Sequence, residues 1–320
     1  MLRGPVGKRV TFMQPSLFSD LNDLRDSETG TITPFKTQLI KWVGNKQRYA
    51  DQIITHFPRS YGTYFEPFLG SAGVLANLAP SRGLASDVFA PLMEIWQCLA
   101  EDPESLKQWY SDRWHWFQAG DHLERYEKIK ADYNASPNGA DLLFLSRACY
   151  GGVVRFRKKD GLMSTPIGSH PVIKPEKFAR RVEMWKPRIA GTRFERLDYL
   201  DAFARARAGD LIYCDPPYAH SQSILYGAQR FRLEDLMQAI AEAKSRGVFV
   251  ALSIDGTKKS GNTYCDIPFP NDLFEHEHYV NIGRSMLKRF QMDGQTLESE
   301  IVRDRLLLTY SASDLNSASK

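Results

Sequence analysis

Apolar and polar positions change their rhythm along the chain, and each change marks an element. The first 36 residues mix Gly, Pro, Ser, Thr and charges without a sustained period, which predicts a mobile arm. From Lys41, KWVGNKQRYADQIITHF has a glycine turn and then helical spacing through Ile53, Ile54 and Phe57. Tyr61 to Phe65 is strand-like and feeds EPFLGSAGVLANLA, a glycine-rich turn opening a helix; a second short strand ends at Asp87. Residues 103–135 form amphipathic pieces in which Trp109, Tyr110, Trp114, Trp116 and Phe117 are assigned to packing, and 141–149 predicts another helix. YGGVVRFRKKDGLMSTPIGSH alternates about a Lys-Asp-Gly turn signal, so a β-hairpin is expected. A basic helix over about 175–188 follows. RFERLDYL, the strand LIYC, a helix over about 232–246 and the strand VFVALSID then restore the alternation.

Strands alternating with helices, interrupted between 101 and 190, predict an α/β fold with a doubly wound sheet and an inserted subdomain. The composition is that of an ordinary globular protein, 42% hydrophobic and 25% charged over 320 residues. No window has the apolar length of a membrane span, and MLRGPVGKRVTF has no apolar signal core, so no membrane association is expected. Cys98, Cys149, Cys214 and Cys265 stand far apart without a C-x-x-C, which argues against a disulfide framework or zinc and fits a reducing cytoplasm. His276 and His278 would share a strand face, but no third ligand is evident and no metal is expected. Charge is uneven: residues 147–193 hold twelve Lys/Arg against three Asp/Glu, or +9, so with +4 overall the remainder carries −5. A basic block in an acidic remainder suggests a surface for phosphates; a solvated helix face is the alternative.

The chemistry concentrates in LIYCDPPYAHS. Pro216 and Pro217 cannot extend a central strand, so Asp215 falls at its carboxyl end, where open α/β sheets bind ligands. The Asp215 carboxylate and Pro216 carbonyl form an acceptor pair in a stiff frame, and Tyr218 adds a flat face. Such a set suits a planar group bearing an NH2, although a plain strand-terminating turn would use the same residues. In EPFLGSAGV, Gly70 and Gly73 let backbone approach a ligand, without the dinucleotide spacing or a P-loop lysine. Asp87, after the next strand, can bind ribose hydroxyls. Together the two imply a nucleoside-bearing cofactor.

KWVGNK, EPFLGSAG, an acid after the second strand, and DPPY, in that order, resemble the Dam-type DNA adenine N6-methyltransferases over about Lys41 to Tyr310. The resemblance implies a Rossmann-like S-adenosylmethionine-dependent sheet formed by 37–100 and 191–312. Residues 101–190 would be the target-recognition subdomain, and 1–36 and 313–320 an arm and a tail. It implies that Trp42 and Lys46 hold the methionine part of the cofactor, with Glu66, Phe68, Gly70 and Gly73 lining its pocket. Asp87 would take the ribose hydroxyls, and Asp198 with Tyr199 would meet the cofactor adenine. A target adenine must leave the base stack to react. Tyr218 would stack on it, while Asp215 and Pro216, braced by Pro217, accept the two N6 hydrogens for an in-line methyl transfer. No cysteine follows a proline, as cytosine-C5 chemistry would require, and Asp rather than Ser before Pro-Pro-Tyr leans away from cytosine N4.

The basic insert resembles the family's recognition helix and hairpin. Arg155 is the expected bidentate partner of a guanine, Tyr150 its companion, and Arg157, Lys158 and Lys159 the expected phosphate contacts. Lys41 is expected to touch DNA as well. Gly151 stands where members reading GATC usually have Asn, so that target is not implied. The loop AHSQSILYGAQRF would close over the flipped base, with Tyr226 a further DNA contact. QPSLF, through Gln14, Leu17 and Phe18, resembles a sliding-clamp-binding peptide. Methylation of RNA adenine and a catalytically silent DNA-binding module are the competing readings. The hairpin favours duplex DNA, whose major groove protein elements enter more readily than that of A-form RNA.

Overall fold

Runs of buried apolar residues without polar alternation belong in a parallel sheet covered on both faces, and the chain places its short runs there. The computed structural model describes residues 34–217, 231–255, 257–258, 263–264, 269–270, 272–283 and 302–311. Strands β1 (Tyr64–Glu66) and β2 (Gly83–Ser86) are buried throughout, whereas β3 (Thr192–Glu195) alternates, as an edge strand does. β4 (Leu211–Cys214) is again fully buried, and β5 (Phe249–Asp255) lies beside it. β6 (Thr257–Lys258) and β7 (Thr263–Tyr264) make a small separate antiparallel pair, and β8 (His276–Gly283) and β9 (Val302–Leu308) complete the main sheet.

The seven strands run in the order β3-β2-β1-β4-β5-β9-β8. The first five are mutually parallel, and β9 is antiparallel to both its neighbours. The order reverses between β1 and β4, so their carboxyl ends flank the crevice where doubly wound sheets take ligands. Period-two alternation sends Tyr64, Leu211 and Tyr213 to one face and Phe65, Ile212 and Cys214 to the other. The second face is covered by α8 (Tyr199–Arg205) and α9 (Leu233–Ser245) through Phe203, Leu236 and Ile240.

On the first face lie α1 (Ala50–Ile54), α2 (Gly73–Leu78) and α3 (Ala90–Glu101), and the inserted helices share their core. These are α4 (Pro103–Gln118), α5 (His122–Ala135), α6 (Gly139–Ala148) and α7 (Pro175–Ile189). Asp102, Asp121 and Asn138 each accept a backbone N–H in the first turn of α4, α5 and α6, which fixes where each helix starts. Trp96 of α3 meets Trp185 of α7 at 5.1 Å, Tyr110 stacks on Phe178 at 4.2 Å, and the Trp185 indole donates to Thr37 O at 2.8 Å. Trp116 departs from the packing expectation: it is part-exposed, with the Arg125 guanidinium 4.1 Å above its ring.

The expected hairpin forms as an irregular ladder. Cys149 bridges Ile167 and Phe156 bridges Met163, and Gly161, at φ +70°, closes the turn by donating to Arg157 O. The Thr165 hydroxyl accepts from Arg155 N at 2.9 Å and donates to Val153 O at 2.8 Å. Side-chain bonds thus stand where ladder bonds would be. Among the described residues β8 ends the sheet, and it exposes His276, Glu277 and Tyr279.

Trp185 joins α7, α3 and the segment at Thr37, so its loss should loosen the insert from the sheet. Trp185→Ala is expected to lower unfolding free energy by about 3–5 kcal/mol in urea titrations, against about 0.5 kcal/mol or less for the exposed neighbour Met184→Ala.

Candidate active site

The last sheet residue of β4, Cys214, pairs with Leu252, and the chain then breaks into Asp215-Pro216-Pro217 because neither proline supplies a ladder N–H. Asp215 and Pro217 open into a cavity of roughly 480 Å3, a size suited to a small-molecule ligand. Its wall contains every residue that the sequence assigned to a cofactor: Trp42, Lys46, Glu66, Phe68, Gly70, Gly73, Asp87, Asp198 and Tyr199. Pro216 is buried behind the wall. Tyr218 and Tyr226 lie outside the described residues, as do Gln14, Leu17 and Phe18.

A buried charge cluster dominates the cavity. Lys46 Nζ donates to both oxygens of Asp215, at 2.6 and 2.7 Å, and to Gly44 O at 3.3 Å. Asp304 of β9 stands 3.5 Å from the same ammonium. The side chains of Lys46 and Asp215 are 7% and 18% exposed, and that of Asp304 is buried. Burial pulls the lysine pKa down, but the charges and hydrogen bonds of the two aspartates outweigh it and hold the pKa above its ordinary value. On β1, the i, i+2 spacing puts Tyr64 and Glu66 on one face, and the phenol donates to Glu66 Oε2 at 2.5 Å. Burial, with Asp215 adding to it, pushes the Glu66 carboxyl up to about 8 against the bonds from Tyr64 and Leu75. Glu66 therefore keeps its proton at neutral pH.

Asp87 receives Phe89 N on one oxygen at 3.1 Å and Gly70 N on the other at 3.3 Å, and burial raises its pKa to about 6. The glycine turn is held from behind by the Trp96 indole, which donates to Gly70 O at 3.1 Å. Gly73 serves the loop after Trp42 more than any ligand: a Cβ there would stand 2.8 Å from both Asn45 Oδ1 and Gln47 N. Phe68 stacks on Tyr199 at 5.1 Å, and Phe231 meets both rings at 5.8 Å. Asp198 spends one oxygen on capping α8, accepting from Leu200 N at 2.9 Å.

Asp304, Phe231 and Arg196 were missed by sequence reasoning. Asp304 left a trace, a lone acid in the strand run VRDRLLL; Phe231 left none, since nothing local distinguishes it from any aromatic before a helix.

The expected DNA contacts sit elsewhere. Tyr150 is 47% exposed on a sharp turn made by Gly151 and Gly152, at φ +63° and +67°. Lys158 and Lys159 are exposed and Arg155 is half-buried, whereas the Arg157 guanidinium is engaged by Asp160 at 2.8 and 3.0 Å within its own turn. Lys41 packs against Gly152, where a Cβ would meet its side chain at 2.5 Å. The cavity and hairpin are joined by rings: Trp42 lies 6.2 Å from Phe89, which meets Phe156 edge-on at 5.6 Å.

The family model for D12 class N6 adenine-specific DNA methyltransferases matches residues 42–286, a span that holds every residue lining the cavity, while Asp304, the second acid beside Lys46, lies beyond it. A DNA adenine methylase of Vibrio cholerae serotype O1 is 29% identical over 241 residues, covering 70% of this chain and 83% of its own. A retron Ec67 DNA adenine methylase of Escherichia coli is 27% identical over 259 residues, covering 78% and 85%. A type II methyltransferase of Lactococcus lactis subsp. cremoris is 25% identical over 247 residues, covering 71% and 84%.

The Glu66 proton is directly observable. Infrared spectra are expected to show a buried carboxylic acid band at pH 6.5 that fades as pH passes about 8 and is absent in Glu66→Gln. The fold binds a proton that the unfolded chain releases near 4.5, so stability from this group falls as pH rises from about 4.5 to 8, and Glu66→Gln should flatten that slope.

Proposed function

The chain belongs to the D12 class N6 adenine-specific DNA methyltransferases, and we propose that Asp215 and Pro216 hold the adenine amine inside the cavity described above. It is an enzyme that methylates adenine in DNA. The observation that carries the residue assignment is that the Asp-Pro-Pro step opens into the same cavity as Glu66, Asp87 and the Gly70 turn.

The cavity fits S-adenosylmethionine, on which methyltransferases of this kind draw. Lys46 is the buried cation of the cluster, set among the carboxylates Asp215, Asp304 and Asp87, an imbalance that favours a positively charged ligand. Each Asp87 oxygen accepts a backbone N–H and keeps acceptor capacity for a ribose diol. Phe68, Tyr199 and Phe231 offer ring faces to a purine, with Asp198 at their edge. When bound, the cofactor supplies its methyl group as an electrophile on a sulfonium.

The protein's part is positioning and electrostatics. Lys46 donates to both oxygens of Asp215, and each oxygen keeps a lone pair with which to accept an N6 hydrogen. Asp304 and Gly44 O share the ammonium and hold it in place beside Asp215. With one hydrogen on Asp215 and the other on the Pro216 carbonyl, the nitrogen lone pair is held out of ring conjugation. Asp215 is also the base nearest the proton that the amine must shed. Duplex recognition falls to 101–190, with Tyr150 and Arg155 toward bases and Lys158, Lys159 and Lys41 toward phosphates.

Asp215→Asn is expected to lower labelled-methyl transfer to duplex DNA by about 10²–10³-fold, with cofactor affinity by equilibrium dialysis within a few-fold of the parent. Mass spectrometry of digested product should give N6-methyladenine from the parent. Transfer by the variant within tenfold of the parent would remove Asp215 from the chemistry.

A further inference from the structure

Three cations converge where the recognition insert meets the segment leading into the cavity. Arg147, at the end of α6, donates through Nη1 to Gln38 O at 3.3 Å and to Leu39 O at 2.7 Å. Arg181 of α7 donates to the same Gln38 carbonyl at 2.6 Å. Two guanidinium groups thus share one oxygen. Lys41, two residues beyond Leu39, completes the group: burial and the charges of Arg147 and Arg181 lower its pKa. Arg147 is 9% exposed, and its Nε is a buried donor with no hydrogen-bond partner. Burial, with Arg181 adding to it, brings its pKa down to about 10.

What the cluster lacks is an anion. Among the described residues no carboxylate forms an ion pair with Lys41, Arg147 or Arg181, and the two carbonyls carry only partial charge. Some half-buried cations elsewhere are paired, as Arg113 with Asp141 at 2.6 Å and Arg305 with Glu277 at 2.8 Å, but here three cations unpaired among the described residues stand together. Like charges gathered at the edge of the interior oppose folding unless a counter-charge arrives. Each guanidinium has five donors in a rigid fork, so Arg181 keeps donors beyond the one given to Gln38.

The place of the cluster says which anion. Lys41 precedes Trp42 in the cavity wall and packs on Gly152, two residues from the exposed Tyr150. Lys41 of the cluster thus stands between the cavity wall and the hairpin turn. We propose that Lys41, Arg147 and Arg181 form a cradle for one backbone phosphate of the DNA strand that carries the target adenine, with Arg181 and Lys41 in contact and Arg147 fixing the floor. The proposal rests on the DNA-methylating reading above and adds a phosphate site to it. A held phosphate beside the flipped nucleotide fixes the register of the strand, which is what backbone contacts supply.

The test walks a single neutral methylphosphonate along each strand of a duplex substrate and measures affinity by fluorescence anisotropy for the parent, Arg181→Gln, Arg181→Lys and Lys41→Gln. The parent is expected to lose about tenfold at one position next to the target adenine. Arg181→Gln should show that loss on unmodified duplex, no further loss at that position, and a salt slope shallower by about 0.9. Arg181→Lys should keep most of the slope. If Arg181→Gln fails to fold by circular dichroism, Lys41→Gln is expected to give the same pattern. A parent-like slope in both variants, or a methylphosphonate penalty that persists at every position in them, would reduce the cluster to a structural staple. Inorganic phosphate at fixed ionic strength supplies the other arm: thermal stabilisation of the parent by phosphate with no sensitive position on the DNA would assign the cradle to a free anion and overturn the proposal. A parent that methylates no duplex at all fails the functional reading itself, which the anisotropy results alone cannot do.

Discussion

An ammonium buried at Lys46 constrains the rest of the molecule. Taking such a charge out of water costs several kcal/mol even after relaxation, and it is tolerated only with close partners of opposite sign. Here the charged partners come from two distant stretches, Asp215 at the end of β4 and Asp304 on the antiparallel strand β9, and the nearby Gly44 carbonyl adds a third contact. The ion cluster therefore ties the glycine turn of the first segment to the centre of the sheet and to its far half. It also sets the chemistry. A carboxylate that ends a central strand would otherwise face an apolar wall with no counter-charge, and its neighbour Glu66 resolves the same difficulty in the other way, by keeping its proton.

Much of this was legible in the sequence, for a physical reason. Cofactor residues in a doubly wound sheet sit at strand ends and in the turns that follow them, and turns are written locally in Gly, Pro and Asp. The order of Trp42, Gly70, Asp87, Asp198 and Asp215 along the chain consequently named one wall of one cavity. The less legible parts depend on distant contacts. Asp304 reaches the site only because β9 lies antiparallel beside β5, and Phe231 only because α9 starts beneath Tyr199. Within RFERLDYL the strand stops at Glu195, and Asp198, expected after a strand, caps α8. Gly73 lines the cavity as expected, and its bare Cα also admits Asn45 and Gln47, which nothing local foretells.

On the proposed assignment of 101–190 to target recognition, recognition and chemistry share a frame. The inserted helices carry no core of their own; they extend the core of one sheet face through Trp96, Trp185, Tyr110 and Phe178. The row Trp42, Phe89, Phe156 then runs from the cavity wall into the hairpin. Packed rings transmit position with little give, so a hairpin seated on DNA has a defined distance to Asp215. The basic block over 147–193 lies on this rigid part, which lets long-range attraction and precise placement act through the same surface.

The most direct measurement is a crystal structure of the protein with a non-reactive cofactor analogue and a duplex carrying its target site. The account predicts the adenine amine within hydrogen-bond distance of the Asp215 carboxylate and the Pro216 carbonyl. A complex in which the flipped base binds elsewhere, with its amine out of reach of both groups, would contradict it.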